Sequence, residues 1–440
     1  MQNQKIGYCS YSIHRTIYHG RSLDQSDSHT EMETGLLGTP LQIEIDSTSY
    51  LDAKSAPVEM EFQLKSNGRT QKVDAKFGDK EVAVTVNNSG AGRTFTLKRP
   101  SGPIVDDPMT LFVSRKQGAP QSSKCYIFDP STVSFIQNEV KIIGTKTMTE
   151  KGRSIKVTVV DIVDPRETTR AYLDESNNLV RAESLMGIVM LPESAAVAME
   201  APAKYSKGVD IGFSTSITPT GRLDDPAATT ELKMKLVGKD LASIPNDEAQ
   251  SVTGAGGAWT LDIHPPRLQG GVSITEAGRQ KPEFTKPDLN VPSDSSEFKN
   301  LARKIVGGKT NVLDAAVAIK DWVYSTMRPN AGIGVLRDAS EVLKTKEGVC
   351  RDYAILTATL LRSAGIPTRL ASGLVTWDGT FYYHAWDEVW DGAYWIGIDS
   401  TTTDRQISAA HVKLAQGSVA EAFSFAVLDH VTIQILSSRE

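Results

Sequence analysis

Hydrophobic and polar positions alternate with a period of two through most of the first 200 residues. Leu41-Gln42-Ile43-Glu44-Ile45, Val58-Glu59-Met60-Glu61-Phe62-Gln63-Leu64, Val82-Ala83-Val84-Thr85-Val86 and Ile155-Lys156-Val157-Thr158-Val159-Val160 each put their apolar side chains on one face. That is the pattern of half-buried strands. Turn residues punctuate them at Ser66-Asn67-Gly68, Asn87-Asn88-Ser89-Gly90 and Glu150-Lys151-Gly152. The expectation over residues 1–204 is a β-rich N-terminal domain, a large antiparallel sheet or sandwich. The alternation continues in a β-rich middle segment, 205–285, where Glu231-Leu232-Lys233-Met234-Lys235-Leu236-Val237 is the clearest strand. The Pro/Gly-rich stretch from His264-Pro265-Pro266 to Lys286-Pro287 reads as a linker.

Beyond residue 286 the period changes to that of helices. Ser293-Asp294-Ser295-Ser296 is rich in capping residues, and Ser295 or Ser296 is expected to cap a helix from Glu297 to Val306, ended by Gly307-Gly308. Asn311 is expected to cap a second helix, with Val312, Ala315, Ala316, Ile319, Trp322 and Val323 at helical spacing. Trp322 therefore reads as core. A third apolar helical stretch, Tyr353 to Ala364, follows Gly348-Val349-Cys350 and stops at Gly365-Ile366-Pro367. Two aromatic-rich segments, Phe381 to Trp390 and Ala393 to Asp399, read as strands. The fold class expected is α+β and multidomain, with all-β N-terminal regions ahead of a mixed domain over 286–440.

Composition changes this picture little. The chain has 440 residues, 40% hydrophobic and 23% charged, enough for two or three domains with sizeable cores. A net charge of −5, without a basic cluster, argues against a nucleic-acid binder. Cys9, Cys125 and Cys350 form no disulfide framework; with Cys350 set aside a Cys9–Cys125 bridge is allowed, though no spacing suggests it. No CxxC or HExxH run is present, so neither a metal nor a cofactor is expected. Asp174-Glu175-Ser176-Asn177-Asn178 lacks calcium-loop spacing and reads as a hairpin turn, and Gly254-Ala255-Gly256-Gly257, with no Lys-Ser after it, reads as a loop between strands. His264, before two prolines, reads as exposed. There is no apolar run of about twenty residues to span a membrane; Leu185 to Met199 is interrupted by Pro192 and Glu193. Residues 1–30 show no signal-peptide core. This opening fits an extracytoplasmic chain whose leader has been removed and equally a cytoplasmic one.

The candidate chemistry lies in Cys350, His384 and Asp399, the parts of an activated thiol nucleophile. Cys350 is expected on the first turn of its helix, where free amides favour a thiolate and its own N–H can receive an oxyanion. Asp391-Gly392 is expected to form a two-residue type I′ turn. That turn pairs Trp390 with Ala393 and, by continuation, His384 with Asp399, their Cβ atoms roughly 4.5–5.5 Å apart. Asp399 would then fix the tautomer of His384. Trp377, Tyr383 and Trp386 are candidates for the walls of a substrate cleft, with Trp386 and Trp390 on the face of His384 by parity.

The motifs Ala339-Ser340-Glu341-Val342-Leu343, Gly348-Val349-Cys350-Arg351-Asp352-Tyr353-Ala354, Gly365-Ile366-Pro367-Thr368-Arg369, His384-Ala385-Trp386 and Ile398-Asp399-Ser400-Thr401 together resemble the core of the transglutaminase-like superfamily. The resemblance implies a papain-like core in the C-terminal third, a Cys350-His384-Asp399 triad, and thiol acyl chemistry on protein or peptide amides without a cofactor. The bacterial look of the chain favours hydrolysis, by analogy, over amine-transferring crosslinking. A non-catalytic scaffold of the same fold is the third reading.

Overall fold

The computed structural model describes residues 4–88, 92–113, 121–165, 168–184, 188–200, 210, 212, 215–238, 244–268, 270–422 and 431–440. The chain divides into two compact units, Met1–Ser214 and Thr215–Glu440. The expected boundary at 204/205, part of the Asn87–Gly90 turn and residues 185–187 lie outside the described residues.

The first unit is built of antiparallel meanders. β1 (Gly7–Tyr18), β2 (Arg21–Leu36), β3 (Thr39–Leu51), β4 (Pro57–Ser66), β5 (Arg69–Phe77), β6 (Glu81–Asn88) and β7 (Arg93–Lys98) make a seven-stranded sheet in sequence order. β8 (Ser122–Asp129), β9 (Ser134–Glu150), β10 (Arg153–Val163), β11 (Thr168–Leu173), β12 (Leu179–Glu183) and β13 (Val189–Met190) make a second, six-stranded one. Asn67-Gly68 and Lys151-Gly152 each have two consecutive positive φ angles, the type I′ geometry that matches strand twist. Alternation becomes burial: Val73, Ala75, Val82, Val84 and Val86 point inward. Phe77 meets Phe128 and Phe135 edge-on at 5.8 and 6.5 Å, joining the two sheets.

In the second unit, β14 (Glu231–Val237), β15 (Gln250–Ala255) and β16 (Ala258–Ile263) form a sheet with the last strand, β23 (Thr432–Arg439), in the order β15-β16-β14-β23. The strands of the middle segment thus pair with the C-terminal end of the chain. The stretch expected as a linker is also part of this unit. It contains helix α1 (Ile274–Gln280), capped by Ser273, whose hydroxyl accepts from the Glu276 N–H, and it buries Ala277. The physical reason is that Pro and Gly here flank a short capped helix instead of extending a chain.

Four further helices of this unit are α2 (Ser296–Val306), α3 (Val312–Thr326), α4 (Ala339–Thr345) and α5 (Cys350–Ser363). Ser295 is the N-cap of α2, and Asn311 caps α3 by accepting from the N–H groups of Leu313 and Asp314. They pack on a sheet of β19 (Thr368–Trp377), β20 (Thr380–Trp390), β21 (Trp395–Ile398) and β22 (His411–Gly417), in the order β21-β20-β19-β22. Between helices and sheet lie Phe298, Ile319, Ile355, Leu356, Leu360, Leu370, Val389 and Ile396, all fully buried, with Trp322 against their edge. A second cluster joins Leu232, Met234, Leu236 and Leu261 to Leu374, Phe381 and Val412. β17 (Arg328–Pro329) and β18 (Glu347–Gly348) form a small parallel pair just before α5.

The hairpin register differs from expectation. Trp390 pairs with Trp395 and Asp387 with Ile398, so the connection is two residues longer. Asp391 has no positive φ, which excludes type I′. Its carboxylate accepts from the N–H groups of Ala393 and Tyr394, at 2.7 and 2.6 Å, an aspartate-closed turn. The type I′ geometry is found at Asp378-Gly379, between β19 and β20.

A candidate active site at the N-terminus of helix α5

Cys350 is the first residue of α5. Lys346, in the left-handed region, ends α4. Val349 is the N-cap of α5, and its N–H donates to Asp352 Oδ2 at 2.9 Å. Asp352 is itself fully buried and pairs with Arg337, also fully buried, at 3.1 Å. Arg337 further donates to Thr345 Oγ1 at 3.0 Å and to the Glu347 carbonyl at 2.5 Å. One guanidinium thereby ties α4, β18 and the start of α5 together, and fixes the backbone that presents Cys350. Gly348 cannot carry a side chain here, because a Cβ would lie 2.4 Å from that of Asp352.

His384 lies on β20 and Asp399 directly follows β21. The longer hairpin displaces the pairing by two residues, which preserves the face, and His384 Nε2 donates to Asp399 Oδ2 at 2.7 Å. The other carboxylate oxygen, Oδ1, accepts from the N–H and the hydroxyl of Thr401, both at 2.8 Å. With Nε2 committed to Asp399, the second ring nitrogen of His384 is left for its hydrogen bond with the Cys350 thiol. A further contact comes from the sheet backbone. Trp390 donates its N–H to Pro367 on the β19 side; alternation turns the Ala385 N–H to the opposite edge. β21 stops short of that point, and the Ala385 N–H reaches Cys350 instead.

These contacts set the charges. Burial pushes the Cys350 thiol up, but the hydrogen bond and charge of His384, with the Ala385 N–H, outweigh it and hold the thiol below its ordinary value. Burial pulls His384 down, yet the charge and hydrogen bond of Asp399, aided by Cys350, raise it well above an ordinary histidine. Asp399 is pushed up by burial and held well below the usual carboxylate range by His384 and His411. All three shifts run toward a thiolate beside an imidazolium, backed by a carboxylate. Cys350 as a residue is intermediate in exposure.

The other candidates are placed differently. Trp386 is 1% exposed and lies beneath the imidazole, nearly parallel to it with ring centroids 6.4 Å apart. Its indole is a buried support for His384 and not an open wall, because strand parity puts it in the cluster with Ala371 and Ile407. Tyr383, one residue from His384, faces the other side of β20 and packs against the second cluster. Trp377 is 69% exposed and pairs with Thr380, four residues from His384, which places it about 13 Å along the strand. Of the three, Trp377 alone combines the face of His384 with wide exposure. Trp390 donates its indole N–H to Gln280 at 2.6 Å.

Three neighbours were not legible from motifs. His411, at the start of β22, approaches Asp399 Oδ2 at 3.4 Å and meets Trp386 edge-on at 5.3 Å. Asp387 is buried with both carboxylate oxygens unpaired, and burial pushes it well above the carboxylate range. Arg337 precedes its partner Asp352 by 15 residues and carries no spacing signal. β22, which carries His411, is anchored by a buried network. Arg369 donates to Glu388 at 2.6 Å and to Asp247 at 3.0 Å, and Lys413 to Glu388 at 2.7 Å and to Asp247. Among the described residues no helix is long and apolar enough to cross a membrane.

The transglutaminase-like superfamily model matches residues 299–400. An uncharacterized protein of Mycobacterium tuberculosis is 28% identical over 174 residues, 36% of this chain and 47% of that protein. An uncharacterized protein of Mycobacterium leprae is 33% identical over 114 residues, 23% of this chain and 39% of that protein. The chain thus spans half or less of the length of these curated relatives. Among solved structures, a candidate cysteine protease from Cytophaga hutchinsonii is 20% identical with a TM-score of 0.35, covering 48% of this chain and 89% of that one. A β-barrel-like protein from Brucella abortus is 13% identical with a TM-score of 0.31, covering 40% and 80%. The C-terminal region of this chain, around residues 299–400, belongs to the transglutaminase-like superfamily.

Proposed function

We propose that this protein is a cysteine-dependent amide hydrolase, with Cys350 as nucleophile, His384 as acid and base, and Asp399 as the group that orients His384. The observation that carries this reading is the thiol of Cys350, held below its ordinary value by a histidine that Asp399 fixes on its far nitrogen. The Cys350 thiolate attacks the carbonyl carbon of a peptide or glutamine carboxamide, forming the C–S bond. Negative charge on the carbonyl oxygen is received by the Cys350 N–H, which at the first position of α5 has no acceptor within the helix. As the C–N bond breaks, His384 gives its proton to the departing amine or ammonia. The thioester left on Cys350 is attacked by water, whose proton returns to His384, and the acid and the thiol are regenerated. Each step needs only the three side chains and the backbone.

Water is assigned as acceptor by analogy with hydrolytic members of the superfamily that the motifs resemble, and an amine in its place gives crosslinking. One experiment separates the outcomes. A glutamine-containing protein is incubated with the enzyme and excess primary amine, then weighed by mass spectrometry, with Cys350→Ala as control. Cleavage or deamidation that depends on Cys350 is expected. A Cys350-dependent amine adduct would make the protein a transferase, and no Cys350-dependent product would favour a non-catalytic scaffold.

A further inference from the structure

We propose that His384, Asp399 and His411 form a binding site for one divalent transition-metal ion of the zinc class. The three donor atoms come from β20, the residue after β21 and β22, and all lie within 4.8 Å of one another. Nε2 of His384 is 2.7 Å from Asp399 Oδ2, and Nε2 of His411 is 3.4 Å from the same oxygen. Around tetrahedral zinc, with bonds of about 2.0–2.1 Å, ligand atoms stand about 3.3 Å apart. The observed spacings differ from that by on the order of 1 Å. Two imidazoles and one carboxylate are a borderline-soft set that suits zinc, cobalt or nickel and not calcium or magnesium. Three protein ligands leave a fourth position for water.

The surroundings are already arranged for this. Thr401 holds Oδ1 of Asp399 with two hydrogen bonds, so Oδ2 is the oxygen presented to both rings. His411 has a side chain only 9% exposed. Its Nδ1 has no hydrogen-bond partner, and its Nε2 makes only the long contact to Asp399. A metal bond at Nε2 would replace that long contact with a strong one. Cys350 is not a ligand, because it meets His384 through the other ring nitrogen. A metal on Nε2 fixes the proton of His384 on Nδ1, where it donates to the thiolate, as ligating histidines donate their second N–H. The charges of the ion, the Asp399 carboxylate and the thiolate then cancel inside the site. The catalytic consequence rests on the function proposed above. With Nε2 metallated, His384 no longer exchanges its proton under the control of Asp399, so the metal switches acyl transfer off reversibly.

The test uses the untagged full-length chain, stripped with chelator and titrated with Co2+ and then Zn2+, followed by cobalt absorption and calorimetry. One Co2+ per chain is expected, with a tetrahedral visible band, no sulfur-to-cobalt charge-transfer band, and displacement by Zn2+. Cys350→Ser should bind equally, and His411→Gln at least tenfold more weakly. Where His411→Gln does not fold, the wild-type and Cys350→Ser spectra decide, since nitrogen and oxygen ligation is read there directly. Absence of binding at millimolar metal, unaltered affinity in folded His411→Gln, or a charge-transfer band lost in Cys350→Ser would each overturn the site. Amide turnover is measured separately in metal-free buffer; its absence sinks the enzymatic reading and leaves the metal site standing.

Discussion

At the scale of single residues, charge placement makes two sharp predictions. The first concerns Cys350. Its thiol is held low by His384 against the opposing effect of burial, so removing the histidine leaves burial in command. In His384→Ala, the thiolate fraction at pH 7 should fall at least tenfold, read as the rate of iodoacetamide alkylation against pH. A profile that does not move would mean that the thiol and the imidazole are not coupled. The second concerns Asp387, whose carboxyl is raised by burial and by the charges of Asp399 and Glu388, against the pull of Arg362. A carboxyl raised in the folded state supports folding fully below its ordinary value of about 3.9, and that support is lost as pH rises toward the folded value. Asp387→Asn removes this dependence. Urea denaturation should therefore show the variant gaining on the wild-type protein between pH 4.5 and pH 7, whereas a gap independent of pH would count against a protonated Asp387.

At the scale of elements, the hairpin of β20 and β21 explains how much of the site was legible. Parity is a robust property of strands, and it puts His384 and Asp399 on one face although the turn is longer than the sequence predicts. The turn could not be read because Asp391-Gly392 suits both a type I′ turn and a turn closed by the Asp391 carboxylate; the N–H groups of Ala393 and Tyr394 decide it. The capped helices were legible for a similar local reason, since Asn311 and Ser295 act on neighbours a few residues away. Arg337 and His411 were not, because no local pattern marks their partners Asp352 and Asp399, 15 and 12 residues away, and the Pro/Gly stretch hid a short helix whose local signals are Ser273 and Glu276. Arg337 also yields the third prediction. It joins α4, β18 and α5 through Asp352, Thr345 and Glu347. Arg337→Met would leave Asp352 buried without its partner, a change that costs about 3–5 kcal/mol. Equilibrium unfolding should show a loss of that order together with slower Cys350 alkylation. A loss below about 1 kcal/mol, in the range of surface ion pairs, would show that the clamp contributes little.

At the scale of the whole molecule, the part that carries the superfamily motifs is smaller than the part that folds as a unit. Residues 286–440 hold Cys350, His384 and Asp399, yet the unit begins at Thr215. Strand β14 pairs with β23 over its whole length, and Leu232, Met234 and Leu236 cover Leu374, Phe381 and Val412 of the site-bearing sheet. Those last three side chains are fully buried. Cutting away residues 215–285 would expose them, and burying one large apolar side chain contributes about 1.5–3 kcal/mol. Three such losses approach the 5–15 kcal/mol that typically separates a folded domain from its unfolded chain. The cut would also leave β23 without its neighbour and remove Asp247, which pairs with both Arg369 and Lys413. The fragment 215–440 should therefore melt in one cooperative transition by circular dichroism, and 286–440 should show none. If 286–440 melts at the temperature of 215–440, the sheet of β14, β15, β16 and β23 is an accessory to the fold; if it has no transition, that sheet is the floor on which the site is built.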